Sequence, residues 1–325
     1  MKKIEIILAS TLEEAKNLVE AGYCPVETSF GGENVVDDFM LDHHGSMSYM
    51  ESVAIRAYRD FYGKRVEDPR FVINHIDADC IFAVASLAGL LPHATHPKKF
   101  VAPEWEQDLL PLAETIATID TDPIGRNMLT MAYGSHLVTW NALFGNGART
   151  ELEAIAGVQG WITLLTSRSA ETFLCAACKT EQTRIEQARL DEAERGLEVP
   201  LPLGTLLRIR GSRMFGFDVW YGRQPELGDV NEIEGWRHPV VISLVDQQRN
   251  VTFACPNKEV AEKLFGEGGL KNVFARLNEV YNTTGFGGRE TIGGSPRNKV
   301  ISYEEFDEYI KIVEELAHEH ALSKK

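Results

Sequence analysis

Residues 70–91 read RFVINHIDADCIFAVASLAGLL. RFVIN is a short apolar run of the kind that forms a strand buried on both faces. IFAVASLAGLL is apolar and alanine-rich over enough residues to be a helix instead. HIDADC joins the two directly, so His75, Asp77 and Asp79 fall just beyond the carboxyl end of a strand. Alternate residues of an extended segment face the same way, which lets these three side chains address one centre.

The pattern repeats on both sides of this junction. Upstream, KIEIILA reads as a strand, and the Ser10–Glu13 capping box opens a helix through Leu12, Ala15, Leu18 and Val19 that stops at Gly22. After the glycine loop SFGGEN, the run to FMLDHH reads as a second strand, followed by a helix capped by Ser48–Glu51 and ending near Gly63. Downstream, ETIATI reads as a fourth strand ending at DTDP. Strands alternating with helices predict an α/β fold with a mainly parallel sheet, whose ligands bind outside the carboxyl ends of the strands.

Residues 127–195 read as mostly helical, with Thr150–Glu153 as a further cap, and complete an expected domain over 1–195. Pro200 and Pro202 mark 196–204 as a linker. Residues 205–325 then read as a smaller α+β domain. Its strands are LLRIRG, FDVWYG, PVVISLVD and NVTFAC, and its helices are KEVAEKLFG, LKNVFARLNEVY and a last one capped by Ser302–Glu305.

At 325 residues, 44% hydrophobic and 25% charged, the composition is that of a soluble globular protein. No run approaches the roughly 18 apolar residues of a membrane span, and the amino terminus lacks a signal-peptide pattern, so a cytoplasmic protein is expected. The five cysteines are scattered and odd in number, and C-x-x-C at Cys175 and Cys178 lacks a second ligand pair, so these read as buried or half-buried thiols. A net charge of −15 argues against tracking a long nucleic-acid backbone, which needs many cationic contacts.

Three acidic clusters stand at the expected strand ends. They are Asp42, His43 and His44 in LDHH, His75, Asp77 and Asp79 in HIDAD, and Asp120 and Asp122 in TIDTDP. So many carboxylates in one place oppose each other's ionisation. Divalent cations reverse that penalty, and a set of oxygens with a few imidazoles suits manganese or magnesium better than thiolate-bound zinc.

These residues resemble the DHH phosphoesterase superfamily, which includes RecJ-like exonucleases and exopolyphosphatases. HIDADCIFAVA is similar to its first motif, with Cys80 where glycine is usual, LDHHG to its third and ATIDTDPIG to its fourth. GFGGRETIGGSPR resembles the glycine-rich segment of the associated C-terminal domain, usually marked by a histidine where Ser295 or a neighbour stands. The motif order is permuted, because the triplet here precedes H-x-D-x-D.

The resemblance implies a metal-dependent hydrolase that uses two divalent cations, Mn2+ or else Mg2+, to activate water against a phosphoester or phosphoanhydride. It places His75 and Asp77 on one metal, Asp79 and His43 on the other, and Asp120 or Asp122 nearby. His44 then meets a phosphate oxygen, and Asp42 orients an imidazole. The carboxylate that bridges the metals is left open among Asp120, Asp122, Asp37, Asp38 and Glu27.

In the second domain, expected to close over the substrate, Gly287, Gly288, Gly293 and Gly294 offer backbone N–H groups to an anion. Arg289 and Arg297 add charge. The expected partner is a small phosphorylated substrate or a short oligonucleotide, with neither long nucleic acid nor membrane, and a homodimer is compatible with the sequence. A nucleotide- or phosphate-binding sensor that has lost turnover is the alternative.

Overall fold

The computed structural model describes residues 3–30, 33–93, 108–121, 128–145, 150–167, 170–212, 236, 238–245, 249–296 and 299–324, apart from the side chains of 188, 189, 191–193 and 212. Two compact units divide them between Glu181 and Gln182.

The first unit runs β1 (Glu5–Leu8), α1 (Leu12–Glu20), β2 (Cys24–Pro25), β3 (Thr28–Phe30), β4 (Glu33–Val35), a 3-10 turn (Gly45–Met47), α2 (Val53–Arg59) and β5 (Arg70–Ile73). It continues with α3 (Ala78–Leu87), α4 (Leu110–Thr121), α5 (Gly134–Phe144), α6 (Glu151–Thr166) and the start of α7 (Ala170–Arg195). Its main sheet is parallel with strand order β1-β5-β2, so β5 is the central strand and is buried on both faces, as Phe71, Val72 and Ile73 require. This is an α/β arrangement, as the alternation predicts.

Helix α3 is buried along its entire length, because it lies between the sheet and the other helices. Trp140 and Trp161 stack with ring centroids 5.3 Å apart beside it. Gly157 is small because a Cβ there would press on Trp140 at 3.1 Å, and its carbonyl accepts the Trp140 indole N–H at 2.9 Å. Each such fully buried large side chain stabilises the fold by about 1.5–3 kcal/mol.

Two expected strands are not strands. Residues 37–44 form turns with bonds from Met40 N to Asp37 O and Asp42 N to Met40 O, and Leu41 O accepts a single bond from Glu27 N. ETIATI lies inside α4. Its β-branched residues suggest a strand, but Leu112, Ala113, Ile116 and Ala117 recur at helical spacing and are buried against the core. The threonine hydroxyls that favour extended chain are bonded instead, Thr118 to Glu114 O and Thr121 to Ala117 O.

Cap positions shift by a few residues at two helices. Thr11 caps α1 and Ser52 stands at the N-cap of α2, which ends at Arg59 and not near Gly63. The Thr150 capping box of α6 forms as expected.

The second unit contains β6 (Gly196–Pro200), β7 (Thr205–Ser212), β8 (Val240–Val245), β9 (Val251–Ala254), α8 (Lys258–Phe265), α9 (Leu270–Val280), β10 (Gly287–Gly288), β11 (Ile292–Gly294) and α10 (Tyr303–Ser323). One mixed sheet has the order β10-β11-β9-β8-β7-β6, with only β7 and β8 parallel. Val240, Ile242 and Leu244 pack under the helices with Leu264, Phe274 and Phe306, while Val241 joins Leu207 and Ile209 on the other face.

The 196–204 stretch is therefore not a free linker, since its first half is the edge strand β6. FDVWYG lies outside the described residues. Among the described residues, no helix is long and apolar enough to cross a membrane.

Candidate metal centre

Glu27 follows β2, where the chain leaves the sheet after a bond from Val26 N to Val72 O at 3.0 Å. Its φ is 49°, a left-handed conformation that costs a residue with a Cβ about 1–2 kcal/mol. The side chain is completely buried. A strained backbone carrying a buried carboxylate persists only where surrounding groups compensate for it.

Those groups are imidazoles. His43 Nε2 is 2.6 Å from Glu27 Oε1, and His75 Nε2 is 3.4 Å from Glu27 Oε2. One carboxylate thus presents its two oxygens to two different histidines.

His43 and His44 arrive on the turn after Leu41. Asp42 Oδ1 accepts the backbone N–H of His44 at 2.9 Å and lies 3.1 Å from His44 Nδ1, which fixes that ring. Asn34 Nδ2 donates to His44 O at 2.9 Å and holds the turn from β4. The outcome is two neighbouring imidazoles in different surroundings, His43 buried and His44 with a third of its side chain exposed.

The other ligands come from the β5–α3 junction and from α4. Asp77 is the N-cap of α3, with Oδ1 accepting Cys80 N at 2.9 Å and Oδ2 lying 3.0 Å from His75 Nε2. Asp79 sits in the first turn of α3, fully buried, with Oδ2 3.2 Å from His43 Nε2. Asp120 Oδ2, from the last turn of α4, is 3.3 Å from the same nitrogen. Three sets of candidate ligand atoms result, each within 4.8 Å of one another: Glu27 with His43 and His44, Glu27 with His75 and Asp77, and His43 with Asp79 and Asp120.

The charges are mutually dependent. Burial opposes ionisation of Glu27, but His43 and His75 together outweigh it and hold the carboxyl well below its usual range. Burial also disfavours a charged His43, yet Asp79 and Glu27 push its pKa up to about 10. Asp79 is pushed up to about 7 by burial and by the charge of Glu27, against the pull of His43. Three carboxylate oxygens, Glu27 Oε2, Asp42 Oδ2 and Asp79 Oδ2, are buried with no hydrogen-bond donor.

Buried carboxylate oxygens and imidazole nitrogens converging on one place are the chemistry of a metal site, and the residues fit one. Cys80 belongs to none of the three sets. Burial first, and then the charges of Glu27 and its neighbours, raise its thiol pKa well above the ordinary value, so it stays protonated.

Seven residues singled out from sequence thus converge: Asp42, His43, His44, His75, Asp77, Asp79 and Asp120. Asp122 lies outside the described residues, as does Arg297. Of the carboxylates considered for the bridge, Asp37 accepts Phe39 N in a turn and Asp38 is exposed, and neither joins a candidate set among the described residues. Glu27 joins two.

His93 is half-buried and stacks on Tyr62 with ring centroids 4.1 Å apart. Cys175 is exposed and Cys178 half-buried on α7.

The glycine-rich segment is the β10–β11 hairpin of the second unit, closed by Arg289 N donating to Ile292 O at 2.7 Å. Gly288, Gly293 and Gly294 are required there by packing alone, because a Cβ would meet backbone at 2.2, 2.3 and 2.9 Å respectively. Gly287 differs, since a Cβ on it would meet nothing within 4 Å. Of the four glycines expected to receive an anion, this one has no internal reason to be glycine.

No protein-family model, curated protein or solved structure matches this chain.

Proposed function

We propose that this chain is a metal-dependent phosphohydrolase of the DHH phosphoesterase type, with two divalent cations held in the first unit. The observation that carries the reading is Glu27, whose Oε1 and Oε2 face His43 and His75 on opposite sides of one carboxylate. Glu27 is the bridging ligand in this reading. One cation would be held by Glu27, His75 and Asp77, and the other by Glu27, His43, Asp79 and Asp120. Hard oxygen and imidazole donors favour Mn2+, with Mg2+ next.

Bound divalent cations supply charge to polarise a phosphoryl oxygen and to acidify water near neutral pH. The protein's own groups do the rest. His44 is held through Nδ1 by Asp42, which leaves Nε2 for a phosphoryl oxygen of the substrate. Its partial exposure lets an incoming phosphate reach it, and the depressed pKa of Asp42 keeps that carboxylate charged to orient the ring.

The substrate is a small phosphorylated molecule or short oligonucleotide, the size being limited by the net charge of −15. The alternative of a sensor without turnover draws on the permuted motif order and the lack of an evident bridging ligand. Glu27 supplies that ligand and favours catalysis.

The test is hydrolysis by the full chain with Mn2+ of a panel containing bis(p-nitrophenyl) phosphate, dinucleotides, nucleoside phosphates and polyphosphate. The expected result is turnover of at least one, abolished by chelation and by His43→Ala. Stoichiometric Mn2+ with no turnover across the panel would move the reading to the sensor.

A further inference from the structure

We propose that Ser52 and Asn74, which hold no metal themselves, are positioning residues that each control one of the two metal positions. The inference rests on the two-metal reading above and assigns the control of each position to a separate residue.

Ser52 stands at the N-cap of α2, yet its hydroxyl makes no bond to its own helix. It donates instead to Asp79 Oδ1 at 2.6 Å, and the N–H of Ala54 donates to the same oxygen at 2.9 Å. Asp79 therefore takes over the capping of α2 from another helix. Both side chains are buried, with Ser52 3% and Asp79 1% exposed, so no water competes for Oδ1. With Oδ1 occupied twice, Oδ2 is the oxygen left to face His43, and Asp79 is presented through one oxygen only.

Asn74 does the corresponding work for the other position. Its Nδ2 donates to Ser29 O, which fixes the amide with Oδ1 toward His75 Nδ1 at 2.6 Å. An amide oxygen accepts and cannot donate, so Nδ1 must carry the proton of that bond. Nε2 is then the nitrogen directed at Asp77 Oδ2 and Glu27 Oε2. Ring orientation and tautomer are both set from one neighbouring residue.

The two residues touch different ligands, so their effects should separate. Partners of this kind are typically worth 10–100-fold in metal affinity. Mn2+ binding is measured on the full chain in two backgrounds: His75→Ala, which leaves the Asp79 position, and Asp79→Asn, which leaves the His75 position.

Ser52→Ala should weaken the remaining binding ~10-fold or more in the first background and less than threefold in the second, and Asn74→Ala should do the reverse. Ser52→Thr keeps the hydroxyl and should restore most of the loss at the Asp79 position. Because Asp79 and not Ser52 caps α2, Ser52→Ala should melt within a few degrees of wild type.

Equal losses in both backgrounds, or no rescue by Ser52→Thr, would mean general structural roles and overturn the assignment alone. A wild-type chain that takes up no Mn2+ would overturn the metal centre and the assignment with it.

Discussion

Glu27→Gln preserves shape and removes one charge from the middle of the site. Glu27 Oε1 lies 2.6 Å from His43 Nε2, a buried pair in which a charge-assisted bond is worth about 1.5–3 kcal/mol. The same loss applied to a bound cation is roughly 10- to 150-fold in affinity, and it should fall on both positions because the carboxylate faces both. Titration of the wild type and variant with Mn2+ by calorimetry reads this directly.

A second signature needs no metal. With the Glu27 charge gone, the pKa of His43 should fall from about 10, since Glu27 is the next contributor to its rise after Asp79. The imidazole resonances would report that change. Glu27→Asp is the control for backbone strain, because aspartate tolerates the left-handed φ of 49° better than glutamate but is one methylene too short to span both histidines. It should relieve part of the backbone strain and still lose affinity, which separates strain from reach. A Glu27→Gln chain that binds two Mn2+ within threefold of wild type would remove Glu27 from the bridge.

Three further outcomes are expected. Asp79 is raised from its ordinary 3.8 to about 7 and His43 to about 10, so folding retains protons that the unfolded chain has lost. The stability they contribute is complete at low pH and lost as pH rises through those values, so the metal-free protein should melt at a lower temperature at pH 8 than at pH 5. Mn2+ should reverse that trend, since it takes the place of those protons.

In the hairpin, Gly293→Ala should cost about 1–3 kcal/mol because its Cβ would meet Gly287 O and Phe274 at 2.3 Å. Gly287→Ala should leave stability within about 0.5 kcal/mol, and denaturant unfolding separates the two. Ser302→Ala removes the capping box of α10 and should cost ~1 kcal/mol in the same assay.

The outline of the site was legible because its residues sit at punctuation points of the chain. His75, Asp77 and Asp79 mark the change from apolar strand to apolar helix, a junction defined by neighbours within a few residues. Asp42, His43 and His44 are adjacent, and Asp42 shapes their turn through its carboxylate, which accepts the His44 backbone N–H. ETIATID reads as a strand but lies in α4, and its Asp120 still comes within 3.3 Å of His43, because a carboxylate can reach the same point from the end of a helix as from the end of a strand. Glu27 stood among five candidates for the bridge. Nothing in VETSF separates it from Asp37 or Asp38, since its burial comes from β5, α3 and the 42–44 turn together.

Local periodicity and local chemistry are short-range properties, and the sequence carries them: the α/β alternation, two of the four expected helix caps and the identity of seven converging side chains. Which oxygen faces which nitrogen is a long-range property. It depends on β2 lying beside β5, on α2 packing on α3 so that Ser52 meets Asp79, and on Asn74 being anchored to Ser29 of β3. Those contacts join residues that are far apart in the chain, where spacing holds no information about distance. Folding therefore turned a set of carboxylates and imidazoles into one cluster, in which Glu27 faces His43 through one oxygen and His75 through the other.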